Sequence, residues 1–160
     1  MFGAQQVIAV DVAPEKLEAA LALGATDVVN AADGDPVAAV RELTGGVGVD
    51  VAFEALGRPQ TVQQAFKMVR DGGTVVAVGI GAGAAAAEIE ITHMVRREIR
   101  IVGSFGARTR TDMPHVVDLA QAGAIDLGTL ISERVGLEDA ERIYRALDRG
   151  EVRGRALVTP

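Results

Sequence analysis

Residues 6–30, QVIAVDVAPEKLEAALALGATDVVN, decide the fold. Gln6 to Val10 is an apolar, β-prone run, so Val7 to Asp11 reads as a buried strand that ends in a carboxylate. Pro14 then suits the first turn of a helix in which Leu17, Ala20, Leu21 and Gly24 share one face, and Gly24 ends it. Asp27 to Asn30 follows as a second short strand. A strand returning through a helix to another strand is the crossover that parallel pairing requires.

The alternation continues downstream. Asp35-Pro36 opens a helix with Val37, Val40 and Leu43 inward, stopped by Gly45-Gly46, and Val49 to Glu54 is the third strand. Pro59 opens the next helix. Its Val62, Ala65, Phe66 and Val69 have the spacing of a core face, and Asp71-Gly72-Gly73 turns the chain into a strand from Thr74 to Val78. A Gly/Ala-rich loop from Gly79 to Ala87 leads to an extended piece at Glu88 to Ile91, a short helix near Met94 and a strand from Ile99 to Val102. Amphipathic spacing predicts helices over Pro114 to Ala122 and Leu137 to Leu147, and Ala156 to Thr159 reads as a last strand. The pattern predicts an α/β fold: a doubly wound, mostly parallel sheet covered on both faces. It is read as one domain over residues 1–160, with residues about 140–160 as a tail.

Composition narrows the function classes. The 160 residues carry a net charge of −6, so the chain as a whole offers no field that attracts nucleic acid or anionic membrane. There is no Cys, hence no disulfide framework and no thiolate metal site. No run reads as a signal peptide or reaches membrane-spanning length, and the chain is expected in the cytoplasm.

A parallel sheet of this kind binds ligands beyond the carboxyl ends of its strands. Asp11 stands at the first such end. Its carboxylate could accept from both hydroxyls of an adenosine ribose and repel a 2′-phosphate, with Lys16 closing over the same sugar. Equally, Asp11 could cap the turn before Pro14 while Lys16 is simply solvated. The later strand ends run into Ala55-Leu56-Gly57, Gly79-Ile80-Gly81 and Gly103-Ser104-Phe105-Gly106, where small residues leave backbone groups open to a flat ring. Each is also an ordinary glycine turn when taken alone. Glu54 at its strand end reads as structural rather than as a base. Ser104 and Ser132 lack a triad partner. Arg96, Arg97, Arg100, Arg108 and Arg110 read as a solvated rim or a subunit contact. His93 and His115 have no ligand spacing between them, and a lone His near a helix start reads as a surface or capping residue.

Taken in order, VIAVD from Val7, KLEAALALGATDVVN from Lys16, ELTGGVGVDVAFEALG from Glu42, GGTVVAVGI from Gly72, VGSFG from Val102 and LEDAERIYRALDRGEVRGRALV from Leu137 resemble the medium-chain, zinc-type alcohol dehydrogenases. The resemblance implies a Rossmann-type coenzyme domain for NAD in an enzyme that transfers hydride between NAD and an alcohol, polyol or carbonyl compound. By that resemblance Asp11 and Lys16 would hold the adenosine ribose, and Ala55, Leu56 and Gly57 would lie under the coenzyme. The backbone around Gly79, Ile80, Ser104 and Phe105 would meet the carboxamide, and Arg155 would reach the pyrophosphate, Arg153 being the other arginine that the same tail offers.

The family's GroES-like catalytic domain and first Rossmann strand are expected to lie outside these residues, with Met1-Phe2-Gly3-Ala4 as the end of the helix that follows the glycine loop. Gly79-Ile80-Gly81-Ala82-Gly83 begins as G-x-G but has Ala84 in place of the third glycine. Zinc is expected only in the catalytic domain, and no catalytic residue is assigned here. The chain is thus expected to be the coenzyme-binding portion of such a dehydrogenase, inactive by itself and weak in its hold on NAD. The alternative is a non-catalytic α/β ligand-binding or interaction module derived from one. The resemblance also implies a homo-oligomer, a dimer paired through Ile99 to Val102, with a small-molecule substrate bound only alongside the catalytic domain.

Overall fold

Proline sets where the first three helices begin. Helices α1 (Pro14–Ala22), α2 (Pro36–Leu43) and α3 (Pro59–Met68) each carry it in the first turn, where the missing N–H costs no intrahelical bond. The Asp35 side chain caps α2 by accepting from Val37 N at 2.9 Å. These elements come from a computed structural model that describes residues 3–152 and 154–160. Within it the chain forms two units, one running to Phe105 and the other spanning Gly106–Pro160.

In the first unit every strand pairs in parallel, as the crossovers predict. Strand β1 (Ile8–Asp11) pairs with β2 (Asp27–Asn30), Ile8 opposite Asp27 and Asp11 opposite Asn30. Strand β3 (Val49–Glu54) pairs with β4 (Val69–Ala77), which pairs with β5 (Arg100–Gly103). Helix α4 (Ile91–Arg96) connects β4 to β5. Helix α1 packs on β1 and β2, and α2 on β2 and α3, while Phe66 of α3 and Met94 of α4 meet in one core cluster.

One core cluster holds Ala65, Phe66, Val69, Val75 and Ile99, with Met94 of α4 packed against it. A second holds Val29, Val40 and Met68, against which Ile8, Val37 and Val49 pack, so it draws on both sheets. Arg41 of α2 strengthens the joint: its Nε and Nη2 donate to Lys67 O at 3.0 and 2.9 Å, and Nη2 reaches Val69 O at 3.3 Å. Helix packing therefore joins the two sheets. Among the described residues no ladder links β1 to β3.

Several sequence expectations shift. The doubly wound parallel sheet is interrupted between β1 and β3. Val69, read as the last core position of a helix, is instead the first residue of β4. It pairs with Val49 and is fully buried, so Asp71-Gly72-Gly73 falls inside an irregular strand rather than before it. Glu88 to Ile91 forms no strand, and α4 begins at Ile91. Met1 and Phe2, half of the stretch read as a helix end, lie outside the described residues; Gly3 and Ala4 have no regular structure.

The second unit contains α5 (Thr109–Gln121), α6 (Leu127–Leu130), β6 (Ile131–Gly136), a 3-10 turn (Leu137–Asp139), α7 (Ala140–Asp148) and β7 (Arg155–Thr159). Helix α5 starts five residues before the predicted Pro114, which lies inside it. Strand β6 is unforeseen, and it pairs in parallel with β7. Residues about 140–160, expected as a tail, supply α7 and β7. Ile143 is the buried residue of α7, and Arg142 beside it donates to Glu133 at 2.6 Å.

Candidate functional site

Register builds the candidate site. Glu54 lies opposite Ala77, and Ala77 opposite Gly103, so β3, β4 and β5 end side by side. The residues that follow, Ala55-Leu56-Gly57, Val78-Gly79-Ile80 and Ser104-Phe105, are thereby lined up along one sheet edge. Ser104 N donates to Ala77 O at 2.8 Å. Val78 N and Gly79 N both donate to Glu54 O, at 2.8 and 3.0 Å.

The first two of these turns touch through bare backbone. A Cβ on Gly79 would sit 2.0 Å from Gly57 N, and one on Gly57, at φ +77°, would sit 2.5 Å from Ile80 C. No side chain fits at either position. What faces solvent around this joint is apolar: Leu56, Ile80 and Phe105 are 58%, 75% and 85% exposed. Exposed apolar side chains grouped at one edge mark a surface that something covers.

Glu54 holds the edge from beneath. It is 4% exposed, the buried charged side chain among the described residues. Its Oε1 accepts from Leu56 N at 2.8 Å, Gly57 N at 2.9 Å and the Thr61 hydroxyl at 2.7 Å, and Oε2 lies 3.1 Å from Gly57 N. The same hydroxyl stands 2.9 Å from Arg58 O, the longer of its two contacts. Thr61 escaped the sequence reading. Only its place one turn into α3, seven residues after Glu54, hinted at the bond.

Asp11 ends β1, and its carboxylate takes the capping role considered for it. Oδ1 accepts from Val12 N at 2.8 Å and Ala13 N at 3.0 Å, which caps the turn into α1. Oδ2 is left facing Lys16 Nζ at 3.9 Å, on a side chain about one-third exposed. Arg155 begins β7 in the second unit and donates through Nη1 to Gly154 O at 3.0 Å. Arg153 lies outside the described residues.

Other candidates have local partners. Arg97 pairs with Asp71 at 2.9 Å, Arg100 donates to Gly72 O at 3.2 Å, and Arg108 lies 3.7 Å from Asp112. His93 is a correction: it packs rather than caps, its ring centroid 5.3 Å from that of Phe66 and its Nε2 buried without a partner.

The residues present fit a dinucleotide. A carboxylate ends β1 with one oxygen presented outward, and a glycine-backed apolar edge ends β3 to β5. They do not fit zinc: the sequence has no Cys, and among the described residues no three His, Asp or Glu side chains group closely enough to hold a metal ion. No helix of the described residues is long and apolar enough to cross a membrane.

Parallel strands joined by helical crossovers, with their carboxyl ends in line, define a Rossmann-type domain. The profile of the zinc-binding dehydrogenases matches residues 1–122, and the chain belongs to that family. It is 30% identical to L-threonine 3-dehydrogenase of Bacillus licheniformis, over 99% of this chain and 45% of that protein. Among solved structures it resembles benzyl alcohol dehydrogenase from Acinetobacter calcoaceticus, with a TM-score of 0.89 and 26% identity over 98% of this chain and 43% of that one. It also resembles a zinc-binding dehydrogenase from Sinorhizobium meliloti bound to NADP, with a TM-score of 0.81 and 31% identity over 99% and 46%. The chain thus spans less than half the length of these relatives.

Proposed function

We propose that these residues form the coenzyme-binding portion of an NAD-dependent alcohol or polyol dehydrogenase, in which hydride passes between NAD and an alcohol or carbonyl substrate. The observation that carries this reading is the flush carboxyl edge of β3, β4 and β5, where two glycine turns touch and leave Leu56, Ile80 and Phe105 bare. In this assignment Asp11 and Lys16 take the adenosine ribose and select NAD over NADP. Ala55, Leu56 and Gly57 lie beneath the coenzyme, the backbone around Gly79, Ile80, Ser104 and Phe105 meets the carboxamide, and Arg155 serves the pyrophosphate. Zinc and substrate belong, in this proposal, to the catalytic domain of a complete enzyme, since the donor set here does not suit the metal. The subunits pair through β5, whose outer edge bears the exposed Ile101 and Val102.

These 160 residues contain no G-x-G-x-x-G. The backbone amides and helix terminus that usually hold a pyrophosphate are therefore not supplied by that motif, and the coenzyme rests on ribose and ring contacts. Titration of the chain with NADH, followed by the coenzyme's fluorescence, should show saturable but weak binding. No saturation at millimolar NADH would sink the coenzyme reading, while tight stoichiometric binding would overturn the claim of weakness.

A further inference from the structure

Glu54 meets more hydrogen-bond donors than its place in the strand requires. A strand residue needs its carbonyl and amide paired; here a buried side chain also gathers two backbone amides of the following turn and the hydroxyl of Thr61. Among the described residues no cation pairs with it. Burying a carboxylate in this way is costly unless its oxygens are filled, and the groups that fill them are Leu56 N and Gly57 N, which belong to the candidate edge. Meanwhile the Glu54 carbonyl receives Val78 N and Gly79 N. One residue thus ties the turn after β3 through its side chain and the turn after β4 through its main chain. The Gly57–Gly79 contact then leaves the two turns no room to slide past each other.

We propose that Glu54 is a positioning residue for the ring of the coenzyme: it fixes the turns after β3 and β4 against each other, so that Leu56 and Ile80 form one level apolar floor. The proposal rests on the coenzyme reading above. Glu54 touches no coenzyme atom itself and acts through the turns. Preorganisation of this kind is gained only by a ligand that reaches the floor, not by one bound solely through its adenosine and phosphate half.

That distinction supplies the test. Glu54→Gln keeps the shape and the main-chain bonds of residue 54 but removes the charge that strengthens the three hydrogen bonds at Oε1, and it sets an N–H₂ against Gly57 N where Oε2 now accepts. The 160-residue chain and this variant are titrated with NADH and, separately, with ADP-ribose, which lacks the nicotinamide ring. The variant should bind NADH about tenfold more weakly and ADP-ribose as the unmutated chain does. Thr61→Val, which removes a single donor and spares the fold, should weaken NADH binding by about two- to threefold in the same selective way.

Backbone amide exchange gives a readout that needs no ligand. In Glu54→Gln the Leu56 and Gly57 amides should exchange about tenfold faster, while those of Val10 and Val29 keep their rates. Equal loss of both ligands would make Glu54 a general structural residue and overturn the positioning role alone. Unchanged exchange at Leu56 and Gly57 would overturn it whatever the ligands do. Failure of the unmutated chain to bind either ligand would remove the coenzyme reading and this role with it.

Discussion

Asp11 owes its direction to two neighbouring amides. Because Val12 N and Ala13 N both hold Oδ1, the side chain has little freedom to swing, and Oδ2 is presented at a fixed place beside Lys16. A 2′-phosphate brought there would meet a like charge, whereas a ribose hydroxyl would meet an acceptor. Asp11→Asn retains an oxygen for the turn and removes the charge. The ratio of NADPH to NADH affinity should therefore rise by about tenfold in this variant, with little change in stability; competition titrations measure it. Equal affinity of the unmutated chain for both coenzymes would show that Asp11 makes no ribose site. The position of Asp11 at a strand end was legible in the sequence because it closes an apolar, β-prone run just before Pro14. Thr61 was not, since its bond depends on the turn at Leu56-Gly57 folding back over Glu54, which its place one turn into α3 hints at but does not fix.

Elements α2 and α3 do work that a sheet would ordinarily do. Val40, 2% exposed, sits where α2 meets Val29 of β2 and Met68 of α3, and Arg41 next to it crosses to the Lys67 and Val69 carbonyls. Val40→Ala should cost about 2 kcal/mol, the lost transfer energy plus a small cavity at a site hemmed in by two sheets. Urea unfolding followed by far-ultraviolet circular dichroism reads this directly, and a loss below about 0.5 kcal/mol would mean that the joint lies elsewhere. The helices of this half were legible because Pro14, Pro36 and Pro59 announce their starts. Helix spacing misread Val69 because its position also suits the face of α3; pairing with Val49, a long-range contact, decides for strand. Strand β6 went unseen for a different reason. Ser132, Glu133 and Arg134 in its middle are polar, so neither alternation nor an apolar run marks it.

At the scale of the whole molecule, unpaired edges dominate the expected behaviour. Val10 of β1 and Val51 and Phe53 of β3 lie exposed on strands that each leave one edge unpaired among the described residues, and the outer edge of β5 carries only Arg100 to discourage pairing. The chain should therefore self-associate, through β5 in an ordered dimer and through β1 and β3 in larger species. Sedimentation velocity over a wide concentration range tests this, and a monomer at the highest concentration would refute both routes. The same interruption leaves the sheets to helix packing. No ladder bond joins β1 to β3 among the described residues, and the packing of Val40, Met68 and Val29 that joins the sheets instead loses a quarter to a half of its attraction over a gap of about 0.5–1 Å. The fit of α2 and α3 thus sets how the two sheets are held, and a variant that loosens Val40 or Met68 should disturb that fit while each strand keeps its own ladder.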